Sequence, residues 1–110
     1  MVIEDDHATR AFLTEALQFE DYDVRAVSDG QEGLQLIDNF EPDLILLDMF
    51  VPKVNGTQFI AEYKQKSQHA PIIGLSSALF DAHQTPGLAY FVKKPFDIGE
   101  LFHHISALTQ

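Results

Sequence analysis

Apolar residues in this chain alternate between two patterns. Short unbroken runs, Leu44-Ile45-Leu46-Leu47, Ile72-Ile73-Gly74-Leu75 and Tyr90-Phe91-Val92, are separated by stretches in which apolar positions recur at three- and four-residue steps. Unbroken runs suit strands with helices over both faces, and the three- and four-residue steps suit amphipathic helices that cover them. The pattern predicts strands over 2–4, 23–27, 43–48, 71–76 and 89–93. Helices are predicted over 8–19, 31–40 and 56–66, with Asn55 as a cap for the third. The C-terminal helix has the clearest face, Ile98, Leu101, Phe102, Ile105 and Leu108, and opens with Asp97 and Glu100 in capping-box spacing.

Two places are weaker. Val2 and Ile3 alone precede the first acids, so either residues are missing before Met1 or the first strand is short. The stretch 78–87 holds few apolar repeats and is closed early by Pro86 and Gly87, which predicts at most two helical turns there. No repeat or linker interrupts the alternation, so residues 1–110 read as a single domain. Strand and helix in turn, joined by right-handed crossovers, predict an α/β doubly wound five-stranded parallel sheet of flavodoxin-like type, with a shortened or irregular fourth helix.

Composition narrows the functions this fold could carry. Seven Lys and Arg against seventeen Asp and Glu give a net charge of −10, which repels nucleic-acid phosphates and anionic lipid. Any direct DNA contact would need another domain. No apolar run approaches the roughly 20 residues of a membrane span, cysteine is absent, and the start lacks the pattern of a signal peptide. A cytoplasmic location is expected.

Ligands of doubly wound sheets sit beyond the carboxyl ends of the strands, and there the chain is acidic. The first strand runs into Glu4-Asp5-Asp6 and the third ends in Asp48. If these strands are neighbours, several carboxylates converge, an arrangement that is costly without a cation. Hard oxygen donors, with no cysteine and no suitably placed histidine pair, favour Mg2+ over zinc. A bound cation would let an anionic phosphate approach Asp48, whose carboxylate could attack phosphorus. The ordinary alternative for strand-end acids is solvation or helix capping, and Asp6 fits a cap for the first helix equally well. The fourth strand ends in Ser76-Ser77 and the fifth in Lys93-Lys94-Pro95, a hydroxyl and an ammonium suited to phosphoryl oxygens at the same rim.

With these residues in place, the chain resembles the receiver domain of two-component response regulators over essentially its whole length. Glu4 and Asp5 match that family's metal-binding acidic pair, and Asp48 in Leu46-Leu47-Asp48-Met49-Phe50-Val51-Pro52 matches its phospho-acceptor. Asn55-Gly56 matches the small turn that follows, Ser76 the Ser/Thr switch, Phe91 the aromatic switch, and Lys94-Pro95-Phe96 the lysine and the cis-proline. The resemblance implies transfer of phosphate to Asp48 from a sensor histidine kinase or histidine phosphotransfer protein. Mg2+ would be held by Asp5, Asp48, the Phe50 backbone carbonyl and, through water, Glu4. Lys94 and Ser76 would contact the phosphoryl group, and Phe91 would turn inward to alter the face of the fourth helix, fifth strand and fifth helix, where a second copy or an effector would bind.

The stretch after Ser76 is about four residues shorter than a three-turn helix needs, which puts the standard use of that face in question. Phe50, two residues past Asp48, is expected to act as a water gate and lengthen the life of an acyl phosphate. His7 beside the acids, and His83, His103 and His104, read as surface or loop residues. Three other functions compete. A phosphatase of the haloacid dehalogenase type needs an acid where Phe50 stands. A flavodoxin-like cofactor binder needs a phosphate loop where three acids stand. A degenerate receiver that only binds protein would not need Asp48, Ser76 and Lys94 together.

Overall fold

The computed structural model describes residues 1–76 and 86–109. Strands β1 (Val2–Ile3), β2 (Ala26–Val27), β3 (Ile45–Asp48), β4 (Ile72–Ser76) and β5 (Tyr90–Lys93) form one parallel sheet in the order β2-β1-β3-β4-β5. Among the described residues the helices are α1 (His7–Phe19), α2 (Gly30–Ile37), α3 (Gly56–Tyr63) and α4 (Ile98–Thr109). The shortened fourth helix expected over 78–87 lies almost wholly outside the described residues, so α4 is the helix expected fifth.

Side-chain alternation along buried strands divides the core into two. Ile3, Ile45, Leu47, Met49 and Ile72 face Ile37 of α2 and Phe59, Ile60 and Tyr63 of α3. Val2, Leu46, Ile73, Leu75 and Val92 face Leu13 and Leu17 of α1 and Leu101 and Ile105 of α4. The runs 44–47 and 72–75 thus serve both layers, which is why they show no polar interruption. Edge strand β5 instead buries only Val92 and leaves Tyr90 exposed, so the run 90–92 is not covered on both faces, contrary to expectation.

Several elements are shorter than the sequence predicts. β2 keeps only its last two residues, because Asp23 and Arg25 are solvent-facing and pair with each other at 3.5 Å. After α2 and α3 the backbone tightens into i to i−3 bonds, as with Asn39 N–H to Leu36 and Lys66 N–H to Tyr63. Asn55 caps α3 and closes a reciprocal capping box with Gln58. Asp97 accepts from the Gly99 and Glu100 amides at the start of α4. The turn into β5 requires Gly87, whose φ is 101° and whose Cα lies against Ile60 and Lys64 so closely that a Cβ would approach both at 2.8 Å.

Candidate functional site

Register brings the acids together. Ile3 pairs with Leu47 and Asp48 with Leu75, so the next residue of β1, Glu4, falls beside Asp48. Glu4, Asp5 and Asp48 can each offer a carboxylate oxygen within 4.8 Å of the others. Their exposures differ: Glu4 is 0% and Asp48 7% exposed, whereas Asp5 is open to solvent. Lys94, carried just past β5, places its ammonium between the two buried acids. It donates to Glu4 Oε1 in a close contact and to Asp48 Oδ2 at 3.3 Å. The second oxygens are occupied as well, Glu4 Oε2 by the Asp6 N–H at 3.1 Å and Asp48 Oδ1 by the Phe50 N–H at 3.0 Å.

Burial dominates the protonation of this group. It raises the Glu4 carboxyl to about 7 even though the Lys94 hydrogen bond pulls the other way, and the nearby Asp48 raises it further. Desolvation acts to lower Lys94, but Glu4 and Asp48 outweigh it and hold its proton affinity above the ordinary lysine value. Lys94 therefore stays an ammonium, and the proton that can move belongs to Glu4. A raised carboxyl pKa means the folded state holds more protons than the unfolded chain between the ordinary Glu value of 4.5 and about 7. Metal-free stability is expected to contain a Glu4 contribution that falls as pH rises through that window, and Glu4→Gln should flatten the profile there. Thermal unfolding in EDTA checks this, and parallel profiles for the two proteins would refute it.

The donor set fits a hard divalent cation: three carboxylates, all oxygen, with one acid solvent-facing and Lys94 held to Asp48 by a long hydrogen bond that a competitor could replace. Asp6 caps α1, its Oδ2 accepting from the Thr9 N–H at 2.8 Å and the Thr9 hydroxyl at 2.6 Å. Those bonds hold its carboxyl below the usual range. His7 is exposed in the first turn, with Nδ1 3.3 Å from the Arg10 guanidinium.

Ser76 is fully buried at the end of β4, and its carbonyl accepts from the Lys94 N–H at 2.8 Å. Phe91 pairs in register with Gly74 and is half-buried. The Lys94–Pro95 peptide bond is cis. Phe50 stands at the rim with 56% of its surface exposed. Sequence reasoning missed Arg10, which donates to the carbonyls of Glu4 at 2.9 Å and Asp5 at 3.3 Å and so ties the acidic loop to α1. Its position one helical turn after Asp6 was the available signal. Among the described residues no helix is long and apolar enough to cross a membrane.

The response regulator receiver domain model matches residues 1–106. The chain belongs to this family. The receiver is 34% identical over 114 residues to the response regulator ArlR of Staphylococcus saprophyticus, an alignment covering 100% of the chain and 51% of that protein. It spans about half the length of the curated relatives it matches. Among solved structures, the receiver domain of a Francisella response regulator superposes with a TM-score of 0.89 at 25% identity, covering 98% of the receiver and 93% of that chain. The response regulator TrrA of Thermotoga maritima, solved in complex with Mg2+-BeF, superposes with a TM-score of 0.84 at 27% identity, covering 97% and 95% of the two chains.

Proposed function

We propose that the receiver, one domain over residues 1–110, accepts a phosphoryl group on Asp48 from the phosphohistidine of a sensor histidine kinase or histidine phosphotransfer protein, in the cytoplasm and with Mg2+. The observation that carries this reading is the Asp48 carboxylate at the end of β3, steered by the Phe50 amide and faced by the Lys94 ammonium. One Asp48 oxygen attacks phosphorus, the P–N bond breaks, and the imidazole leaves with the electron pair. Lys94 offsets charge on the phosphoryl oxygens, and the buried Ser76 hydroxyl supplies a hydrogen bond to one of them.

Asp5, Asp48, the Phe50 carbonyl and, through water, Glu4 would hold Mg2+, which supplies charge neutralisation for the incoming phosphate. The domain is a signalling module, and its catalysis is confined to its own phosphorylation and slow dephosphorylation. The donor's approach is supported by an open cavity of about 460 Å3 next to Lys94, lined by Ala8, Thr9, Phe12, Pro95 and Phe96, with Phe12 51% exposed. Output to a second copy or an effector would pass through Phe91 to the face of β5 and α4, where the Tyr90 and His104 rings meet at a tilt with centroids 4.1 Å apart.

The test is incubation of the purified domain with acetyl phosphate, read as intact mass. One added phosphoryl group that requires Mg2+ is expected. No addition together with no Mg2+ binding would reduce the domain to a protein-contact module. Phe50 offers a finer prediction: its ring, exposed at the rim two residues past Asp48, would exclude water from the acyl phosphate. Phe50→Ala is expected to shorten the phosphorylated half-life several-fold, and an unchanged decay rate would remove the gate.

A further inference from the structure

The loop 49–55, which carries Phe50, is tied at its ends by the Met49 N–H to the Leu75 carbonyl at 2.9 Å and the Gly56 N–H to the Met49 carbonyl at 3.0 Å. Its middle rests on the start of α2. The Gly30 N–H donates to the Pro52 carbonyl at 3.4 Å. The Val54 carbonyl oxygen fills the space a side chain at position 30 would need, 1.7 Å from where a Cβ would stand. Lys53 has a φ of 68°, a conformation a non-glycine residue keeps only where its surroundings over-determine it. Its ammonium lies 3.5 Å from Asp29 Oδ2. Asp29 is 4% exposed, and its other oxygen caps α2 by accepting from the Glu32 N–H at 2.8 Å.

We infer that Asp29 and Lys53 form a brace that sets the position of the Phe50 carbonyl for the divalent cation. This rests on the reading that Asp48 is phosphorylated with Mg2+ held in part by that carbonyl. The pair is lopsided, with Asp29 nearly buried and the Lys53 side chain 63% exposed, so Lys53 supplies the cation that the buried carboxylate faces and ties the loop to the helix. Between Lys53 and Phe50 stand Pro52, whose ring fixes φ, and Val51, which is buried. Few torsions can absorb a displacement, and a shift at Lys53 reaches the carbonyl. Asp29 and Lys53 are positioning residues that touch neither cation nor phosphate.

Asp29→Asn keeps a good helix cap and Lys53→Asn tolerates the positive φ, while each removes the ion pair. In the full chain each is expected to weaken Mg2+ binding, measured by titration calorimetry, about threefold to tenfold, less than the roughly 10- to 100-fold typical of groups bonded directly to a metal ligand. The double variant should bind no more weakly than the weaker single one, and Lys53→Arg should bind like the wild type. In metal-free protein, amide hydrogen exchange at Phe50 and Val54 should quicken in the Asn variants. Acetyl phosphate should still phosphorylate them at the wild-type rate once Mg2+ saturates. A lower Tm with unchanged Mg2+ affinity and unchanged Phe50 exchange would overturn the brace and leave a purely stabilising pair. A wild type that neither binds Mg2+ nor accepts phosphate would overturn the phosphorylation reading instead.

Discussion

Asp48→Asn is expected to abolish phosphorylation while leaving the domain folded and, without metal, at least as stable as the wild type. Asparagine is nearly isosteric, and its amide oxygen can still accept the Phe50 N–H that now reaches Asp48 Oδ1 at 3.0 Å. It lacks the negative oxygen that attacks phosphorus, so acetyl phosphate with Mg2+ should add no mass under conditions that convert the wild type fully. The stability side follows from crowding. Glu4, Asp5 and Asp48 offer oxygens within 4.8 Å of one another. Two unit charges at that distance repel by on the order of 3 kcal/mol at an effective dielectric constant of about 20. Lys94 offsets part of this, and neutralising one acid leaves its ammonium to serve Glu4 alone. Intact mass and thermal unfolding in EDTA measure the two halves. A phosphorylated Asn variant would move the acceptor elsewhere, and a markedly lower Tm would mean that Asp48 is held for structure.

Phe59→Ala should produce the largest loss of stability of any single truncation. Phe59 is fully buried, is the largest fully buried side chain among the described residues, and stacks on Tyr63 with ring centroids 5.9 Å apart and planes 11° apart. It fills the layer between the sheet and α2 and α3, where backbone elements meet on both sides and leave little freedom to collapse into the space. Phenylalanine truncations in such settings cost about 3–5 kcal/mol. Domains of this size hold only about 5–15 kcal/mol, so Tm should fall by more than about 10 °C in a thermal scan. Phe19→Ser, at an almost fully exposed position, is the matched control and should change Tm little. Equal shifts for the two variants would mean that the core is not organised around this ring.

Much of this architecture was legible before the fold was known. The unbroken runs 44–47 and 72–75 announced buried parallel strands, because a strand covered on both faces has no position for a polar residue. Strand-end residues announced the site for a similar reason: Glu4, Asp5, Asp48, Ser76 and Lys94 are polar where apolar runs stop, and in a doubly wound sheet all such ends lie on one edge. Boundaries were less legible. Residues 23–25 carry strand-like alternation yet lie before β2, with only the Arg25 carbonyl reaching Val2 N–H, because Asp23 and Arg25 face solvent. The helices expected to run to 40 and 66 instead end at Ile37 and Tyr63, where the backbone tightens into shorter hydrogen-bonded turns, a change no single residue type announces.

Residue types at fixed positions, then, determined the element order, the family and the set of candidate ligands, because periodicity and strand-end chemistry are local properties of the chain. The long-range partnerships were decided by tertiary structure. Lys94 reaches Glu4 across 90 positions, Arg10 folds back onto the carbonyls of the acidic loop, and Lys53 meets Asp29 because the loop after β3 lands on the first turn of α2. The Lys94 and Lys53 pairs depend on where crossovers place distant segments against a buried carboxylate that needs a cation, whereas the Arg10 contact is local and depends on how the acidic loop turns into α1. Where a crossover lands is not encoded at any one position of the sequence.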